Sequence, residues 1–310
     1  MNREFQFGVQ VQHTGSAHEL TALARRAESL GYANVVVDDH FGRNWGPLTA
    51  LAAIASATSR IRLGAMVFAN DFRHPVVLAK EIATLDVLSG GRVEVGMGAG
   101  WWRREYEQLD VAYDPPPTRI ARLVEAVHVM NGLFADGPFS FSGDHYTVRN
   151  LDGHPKPVQR PRPPLLIGGG GRRILSAAAL RADRVNINYD LRSGELPAGP
   201  ARDTSYDALA EKVGWIRSAA GPRFEDVQLS IPVLNLDMTG DARRLSRELA
   251  ELGALSEVEI RDSPYYLIGT TEDVVAELRR LRSDLGISCL YVPSTVMESF
   301  APVVERLAGR

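Results

Sequence analysis

Two hydrophobic periods alternate along this chain, and that alternation limits its fold more than any other feature. Apolar runs with strand character lie at residues 5–11, 34–37, 62–68, 92–96, 165–167, 184–188, 227–236 and 288–292, separated by segments with helical spacing. Between the first two, Leu20, Leu23, Ala24, Ala27 and Leu30 share one helical face, and Gly31 follows where a left-handed residue ends a helix. The last helix but one opens at Thr270 or Thr271, turns Val274, Leu278, Leu281 and Leu285 inward and closes at Gly286, so its caps agree with its period. Eight such units predict an α/β chain folded as a (β/α)8 TIM barrel. A doubly wound open sheet is the competing reading of the same pattern.

Two segments break the repeat. Residues 137–164 combine the hairpin-like FSFSGDHYTV with Pro155, Pro157, Pro161, Pro163 and Pro164, which forbid a regular helix or central strand. An insertion is therefore expected before strand 5. Between Leu236 and Ser288 a helix is followed by the turn-rich RDSPYYLIGT, too long for a single crossover, so extra structure is expected between strands 7 and 8, over part of the barrel.

Composition removes several function classes. With 310 residues, 45% hydrophobic, 24% charged and a net charge of -3, the chain suits one large α/β domain over 1–310 and carries no basic excess for nucleic acid. No apolar run approaches the ~20 residues of a membrane span. MNREFQFG lacks the apolar region of a signal peptide, so a cytoplasmic location is expected. Cys289 is the single cysteine, and its apolar setting in SCLYV reads as a core thiol. A Schiff-base aldolase would need a lysine at a strand's carboxyl end, but Lys80 and Lys212 read as helical surface residues and Lys156 falls in the proline-rich insertion. A metal-dependent hydrolase would want clustered imidazoles, and His13 and His40 stand apart, with His74 and His128 in loops or helices.

Barrel enzymes keep their chemistry at the carboxyl ends of strands, which directs attention to three blocks. In VVVDDHF, at 35–41, the second strand runs into Asp38, Asp39 and His40, where a carboxylate beside an imidazole can fix its tautomer and suit it to proton donation. In LGAMVFAN the third strand runs out through Met66, Val67, Phe68, Ala69 and Asn70, and VGMGAGWW ends the fourth with Gly96, Gly98, Ala99 and Gly100 before two indoles, Trp101 and Trp102. In LLIGGGGRRILSAAAL an apolar strand meets Gly168, Gly169, Gly170 and Gly171, then a helix beginning with Arg172 and Arg173. Unpaired N–H groups at that helix start, aided by the helix dipole and an arginine, suit an anion such as a phosphate.

These blocks together resemble the bacterial luciferase-like superfamily, and most closely its branch that uses the deazaflavin coenzyme F420. The resemblance covers nearly the whole chain. It implies a barrel with one tricyclic cofactor at its mouth: Asp39 and His40 as the pair against the reactive ring, and a β-bulge with a non-prolyl cis peptide at Met66 and Val67 supporting one ring face. It further implies that Ala69, Gly98, Ala99, Gly100 and Trp101 line the ring, and that Gly168 to Gly171 with Arg172 hold the phosphate. Asp39 and His40 are then the expected catalytic residues. Where the sugar-phosphate dehydrogenase branch has a glutamate this chain has Trp101, which implies an apolar or aromatic substrate wall. The expected activity is hydride transfer between F420 and a small apolar or aromatic organic substrate, with His40 as proton donor. The alternatives are an FMN-dependent monooxygenase using reduced FMN and O2, and a non-catalytic flavin-binding protein. A homodimer is expected by the same resemblance.

Overall fold

The structure, a computed structural model, describes residues 3–12, 15–42, 45–238 and 242–310. His13 lies outside them. The strands are β1 (Gln6–Val11), β2 (Asn34–Val37), β3 (Arg62–Ala65), β4 (Phe68–Ala69), β5 (Val93–Gly98), β6 (Phe139–Ser142), β7 (Thr147–Leu151), β8 (Leu165–Gly169), β9 (Arg184–Ile187), β10 (Gln228–Pro232), β11 (Asn235–Asp237), β12 (Tyr266–Ile268) and β13 (Ile287–Pro293). The helices are α1 (Ala17–Ser29), α2 (Pro47–Ala57), α3 (Pro75–Ser89), α4 (Arg103–Gln108), α5 (Pro116–Phe134), α6 (Arg172–Ala179), α7 (Tyr206–Ala220), α8 (Ala242–Leu252), α9 (Glu257–Asp262), α10 (Thr271–Leu285) and α11 (Met297–Leu307). None is long and apolar enough to cross a membrane.

Nine strands form one parallel sheet in the order β3-β2-β1-β13-β10-β9-β8-β5-β4, and β3 also pairs with β5, which closes the sheet on itself. β3 and β4 are two pieces of one stave, so the barrel has eight, as the alternating pattern predicts. The open-sheet reading is excluded by that closure. Residues 62–68 do not form one continuous strand, however: β3 stops at Ala65, the Met66–Val67 peptide is cis, and β4 resumes at Phe68.

Both departures from the repeat carry structure of their own. FSFSGDHYTV forms the antiparallel β6–β7 hairpin before β8. The run 227–236 divides where a single strand was expected: β10 stays in the barrel, whereas β11 leaves it to pair in parallel with β12, inside RDSPYYLIGT. Tyr265 ties this outer pair back to the barrel by donating its buried hydroxyl to the Ile187 carbonyl at 3.1 Å.

Alternation along each stave builds two cores. In β2, Val35 and Val37 face the helices while Val36 faces the barrel lumen, beside Leu166, Cys289, Tyr291, Met66 and Val67. Burial pushes the Cys289 thiol up to about 11, as suits an inert core cysteine. At the amino-terminal end of the staves the lumen is polar. The Arg184 guanidinium on β9 donates to Glu94 of β5 at 2.9 Å, Tyr291 of β13 at 2.6 Å, Gln228 of β10 at 2.7 Å and Gln6 of β1 at 2.5 Å. Glu94 is bound from its other side by Arg62 of β3 at 2.9 Å.

α10 shows how local signals and packing agree. Thr270 is its N-cap and accepts from the Asp273 N–H, while Asp273 accepts from the Thr270 N–H at 2.9 Å; Gly286 ends it with φ +74°. Val274, Leu278, Leu281 and Leu285 are buried, each contributing about 1.5–3 kcal/mol. Thr270→Ala should therefore cost about 1 kcal/mol and Leu278→Ala about 2–5 kcal/mol in denaturant unfolding. Equal losses at the two positions would contradict this division between cap and core.

Candidate active site

Parallel staves put all their carboxyl ends on one side, and there the structure has a cavity of about 1020 Å³. Its lining includes every site residue expected from the sequence: Asp39, His40, Met66, Val67, Ala69, Gly98, Ala99, Gly100, Trp101, Gly168, Gly169, Gly170, Gly171 and Arg172. It also draws in residues the sequence did not mark, among them Gln10, Glu105, Tyr106, Arg119, Asn186 and Leu234.

The two adjacent aspartates at the exit of β2 have separate partners. Asp38, one alternation beyond Val36, lines the cavity, and its Oδ1 accepts from Gln10 Nε2 at 2.6 Å. Burial pushes the Asp38 carboxyl above its ordinary value, opposed by the Gln10 hydrogen bond and His40, with the Asp39 charge adding to the rise. Asp39 is 5% exposed and is taken up by structure: its carboxylate accepts from the Ala69 N–H at 2.9 Å and makes a two-pronged pair with Arg73. That clamp fixes the end of β4 against the exit of β2.

The carboxylate that orients His40 is consequently neither aspartate. His40 Nδ1 lies 2.9 Å from Glu105 Oε2, and Glu105 Oε1 accepts the Phe41 N–H at 2.7 Å. Glu105, with its side chain only 4% exposed, thus holds ring and backbone of the same loop. An ionised carboxylate can only accept, so Nδ1 carries hydrogen and Nε2 is the nitrogen left for chemistry. The carboxylate beside the imidazole is thus Glu105, while Asp39 pairs with Arg73. Glu105 escaped notice because it sits in RREYEQ, a charged hexapeptide that reads as a solvated turn, and only the fold turns it inward.

Trp101 and Trp102 stack with centroids 5.5 Å apart and rings 7° from parallel, and the His40 ring meets both edge-on at 5.6 and 5.5 Å. Tyr106 lies beyond them, donating to Asp71 at 3.1 Å.

The glycines of β5 serve the protein's own side chains. A Cβ at Gly98 would collide with the Val67 side chain and one at Gly96 with the Ala65 carbonyl, while Gly168 would approach Val67 Cγ1 at 3.2 Å. These bare positions form a slot that seats Val67. Gly100, at φ +74°, leaves the room taken by the Tyr106 hydroxyl. Backbone approach to a ligand is therefore not needed to explain Gly96, Gly98 or Gly100.

On the far side of β8, Gly171 is the N-cap of α6, whose first turn contains no acidic residue and begins with Arg172 and Arg173. The segment after β9 closes over this turn, bringing Tyr189, Asp190, Leu191, Arg192 and Leu196 to the cavity. Lys212 of α7 anchors that segment: it is 1% exposed and donates to the Asn188 carbonyl and to Asp203 Oδ2, each at 2.8 Å. Lys212 is helical as expected but not on the surface, because its ammonium satisfies carbonyls that the loop leaves unpaired.

An apolar ledge at Met66 and Val67, a fixed imidazole, an indole wall and a helix amino terminus with two arginines fit a planar ring carrying a phosphate. Comparison with known proteins agrees with this architecture. The chain belongs to the luciferase-like monooxygenase family, whose profile matches residues 4–229. It is similar to the FMNH2-dependent dimethylsulfone monooxygenase of Pseudomonas putida, 27% identical over 245 residues that cover 76% of this chain and 62% of that protein. It is also similar to the F420-dependent glucose-6-phosphate dehydrogenase of Microbacterium testaceum, 32% identical over 188 residues that cover 58% of this chain and 54% of that protein. The chain thus spans roughly half to three fifths of these relatives' lengths. Among solved structures, the coenzyme F420 dependent tetrahydromethanopterin reductase of Methanopyrus kandleri superposes with a TM-score of 0.79 at 19% identity, covering 99% of both chains.

A raised folded-state pKa at Asp38 has a definite consequence for stability. The contribution of that group is fully present below its unfolded pKa and is lost as pH rises through the folded value, because the unfolded chain then releases the proton more readily. Asp38→Asn keeps an acceptor for Gln10 and removes the titration. It should raise the melting temperature at pH 7, with the gain shrinking as pH falls toward 4. A gain of the same size at both pH values, or none at pH 7, would contradict the environment described here.

Proposed function

We propose that the protein is an F420-dependent oxidoreductase acting on a small apolar or aromatic organic substrate. The observation that carries this reading is His40 at the cavity, held through Nδ1 by Glu105 between the exits of two staves. When bound, reduced F420 supplies a hydride from its planar ring. Met66 and Val67 form the ledge for that ring, Ala69 and Gly98 to Trp101 border it, and Gly168 to Gly171 with Arg172 receive its phosphate. In its doubly protonated form His40 delivers the Nε2 proton to the substrate atom beside the carbon being reduced, and the ring returns to the neutral tautomer with hydrogen on Nδ1, which Glu105 holds. Trp101, Trp102, Phe72 and Ile120 exclude water and favour an apolar or aromatic substrate. Trp101 also supports a substrate other than a sugar phosphate. The homodimer is part of the same proposal, and the exposed Val77, Val87 and Leu88 of α3 offer apolar surface for it.

Similarity to an FMNH2-dependent monooxygenase over 76% of the chain keeps FMN as the second reading. Fluorescence titration separates the two. F420 should bind more tightly than FMN, and His40→Ala should lower turnover by about 10²- to 10⁴-fold with little loss of cofactor affinity. FMN binding without F420 binding, together with substrate-dependent O2 uptake, would assign the monooxygenase instead. For the phosphate, Gly171→Asp is the informative change: a Cβ there meets only Arg192 at 3.7 Å, and aspartate suits an N-cap, so the fold survives. A Cβ at Gly170 would run into the Tyr189 carbonyl. Two unit negative charges about 4 Å apart repel by about 4 kcal/mol at an effective dielectric near 20, so Gly171→Asp should weaken cofactor binding by well over tenfold. Undiminished affinity would locate the phosphate elsewhere.

A further inference from the structure

Asp38 has no part in the proton-donor assembly just described, yet it lies on the cavity floor. Side chains alternate across β2, so Val36 and Asp38 both face the lumen whereas Val37 and Asp39 face away from it. Val36 is covered by Leu166, Cys289 and Tyr291. Asp38, one step nearer the mouth, borders the cavity with Gln10 of β1, Met66, Val67, Asn186 of β9 and Pro232 of β10. Those five residues are uncharged. Gln10 Nε2 donates to Asp38 Oδ1 at 2.6 Å, the one hydrogen bond seen for this carboxyl among the described residues. The nearest charged groups are already engaged: Asp39 with Arg73 on the same side of the barrel, and His40 with Glu105 of α4. Arg172 and Arg173 are the first two residues of α6.

The two forms of a carboxyl in such a place suit different atoms of a ring edge. Ionised, it would accept from an N–H and repel carbonyl oxygens and unprotonated nitrogens; neutral, it offers one O–H donor to those acceptors while Gln10 occupies the other oxygen. We propose that Asp38, backed by Gln10, receives an acceptor atom on the inward edge of the cofactor ring, a carbonyl oxygen or an unprotonated ring nitrogen, and donates a hydrogen bond to it from its carboxyl O–H. This rests on the reading of the cavity as a flavin or deazaflavin site. The burial that raises the carboxyl's pKa acts in the same direction, since it keeps the proton on Asp38 further up the pH scale. Asp38 is then a specificity residue for the ring: it favours an acceptor at that edge and disfavours a donor.

The test compares binding of F420 and of FMN to wild type, Asp38→Asn and Asp38→Leu from pH 5 to pH 9, read by fluorescence. Taking the ratio of wild-type to Asp38→Asn dissociation constants cancels the titration of the cofactors and of His40. That ratio should rise with pH, approaching about tenfold per unit once the free carboxyl ionises, because the amide remains a donor throughout. Asp38→Leu should bind at least tenfold more weakly than wild type at pH 5. A ratio that stays flat across the range, or Asp38→Leu binding as tightly as wild type, would overturn the assignment to Asp38 while leaving the cofactor reading intact. Failure of wild type to bind either F420 or FMN would overturn both.

Discussion

A single buried guanidinium fastens the barrel. Arg184 reaches four other staves, β1, β5, β10 and β13, and through Glu94 it is linked to Arg62 on β3. Removing one partner from such a cluster leaves a buried charge uncompensated, at a cost of about 3–5 kcal/mol. The network lies at the amino-terminal ends of the staves, opposite the cavity. Stability and chemistry are thereby assigned to different ends of one lumen, and the mouth is free to carry a carboxyl, an imidazole and a glycine turn that add little to holding the barrel shut.

Between those ends, strand alternation decides which side chains can act. It sends Asp39 to the Arg73 clamp and Asp38 to the lumen, although the two are neighbours in sequence. It also makes the Val67 seat depend on Gly96, Gly98 and Gly168, drawn from two staves. The imidazole of His40 is set by Glu105 on a short helix after β5, so the proposed proton donor and its orienting group come from separate βα units. A barrel suits this arrangement because each loop contributes one part to a common centre.

The sequence made local features legible and left cross-strand ones hidden. α10 was readable because its capping box, its apolar spacing and its final glycine all lie within 270–286. The eight staves, the β6–β7 hairpin and the glycine turn at 168–171 were readable for the same reason. Glu105 and Lys212 were not, since each is a charged residue on a helix and only tertiary contact shows that its partner is a buried loop. The split of residues 227–236 was also hidden: β11 finds its partner at β12, some thirty residues downstream. Arg184 gave no sign of its role because its five-strand network exists only after closure.

The central claim is that a planar cofactor sits beside an imidazole whose tautomer Glu105 fixes. Nitrogen-15 NMR of the histidine side chains addresses it directly, with the His40 resonances identified by their loss in His40→Gln. At a pH where the ring is neutral, Nδ1 should carry the hydrogen and Nε2 should not, and saturation with F420 should move the Nε2 resonance while Nδ1 keeps its hydrogen. A neutral His40 protonated on Nε2, or resonances that do not move when the cofactor saturates the protein, would contradict the account.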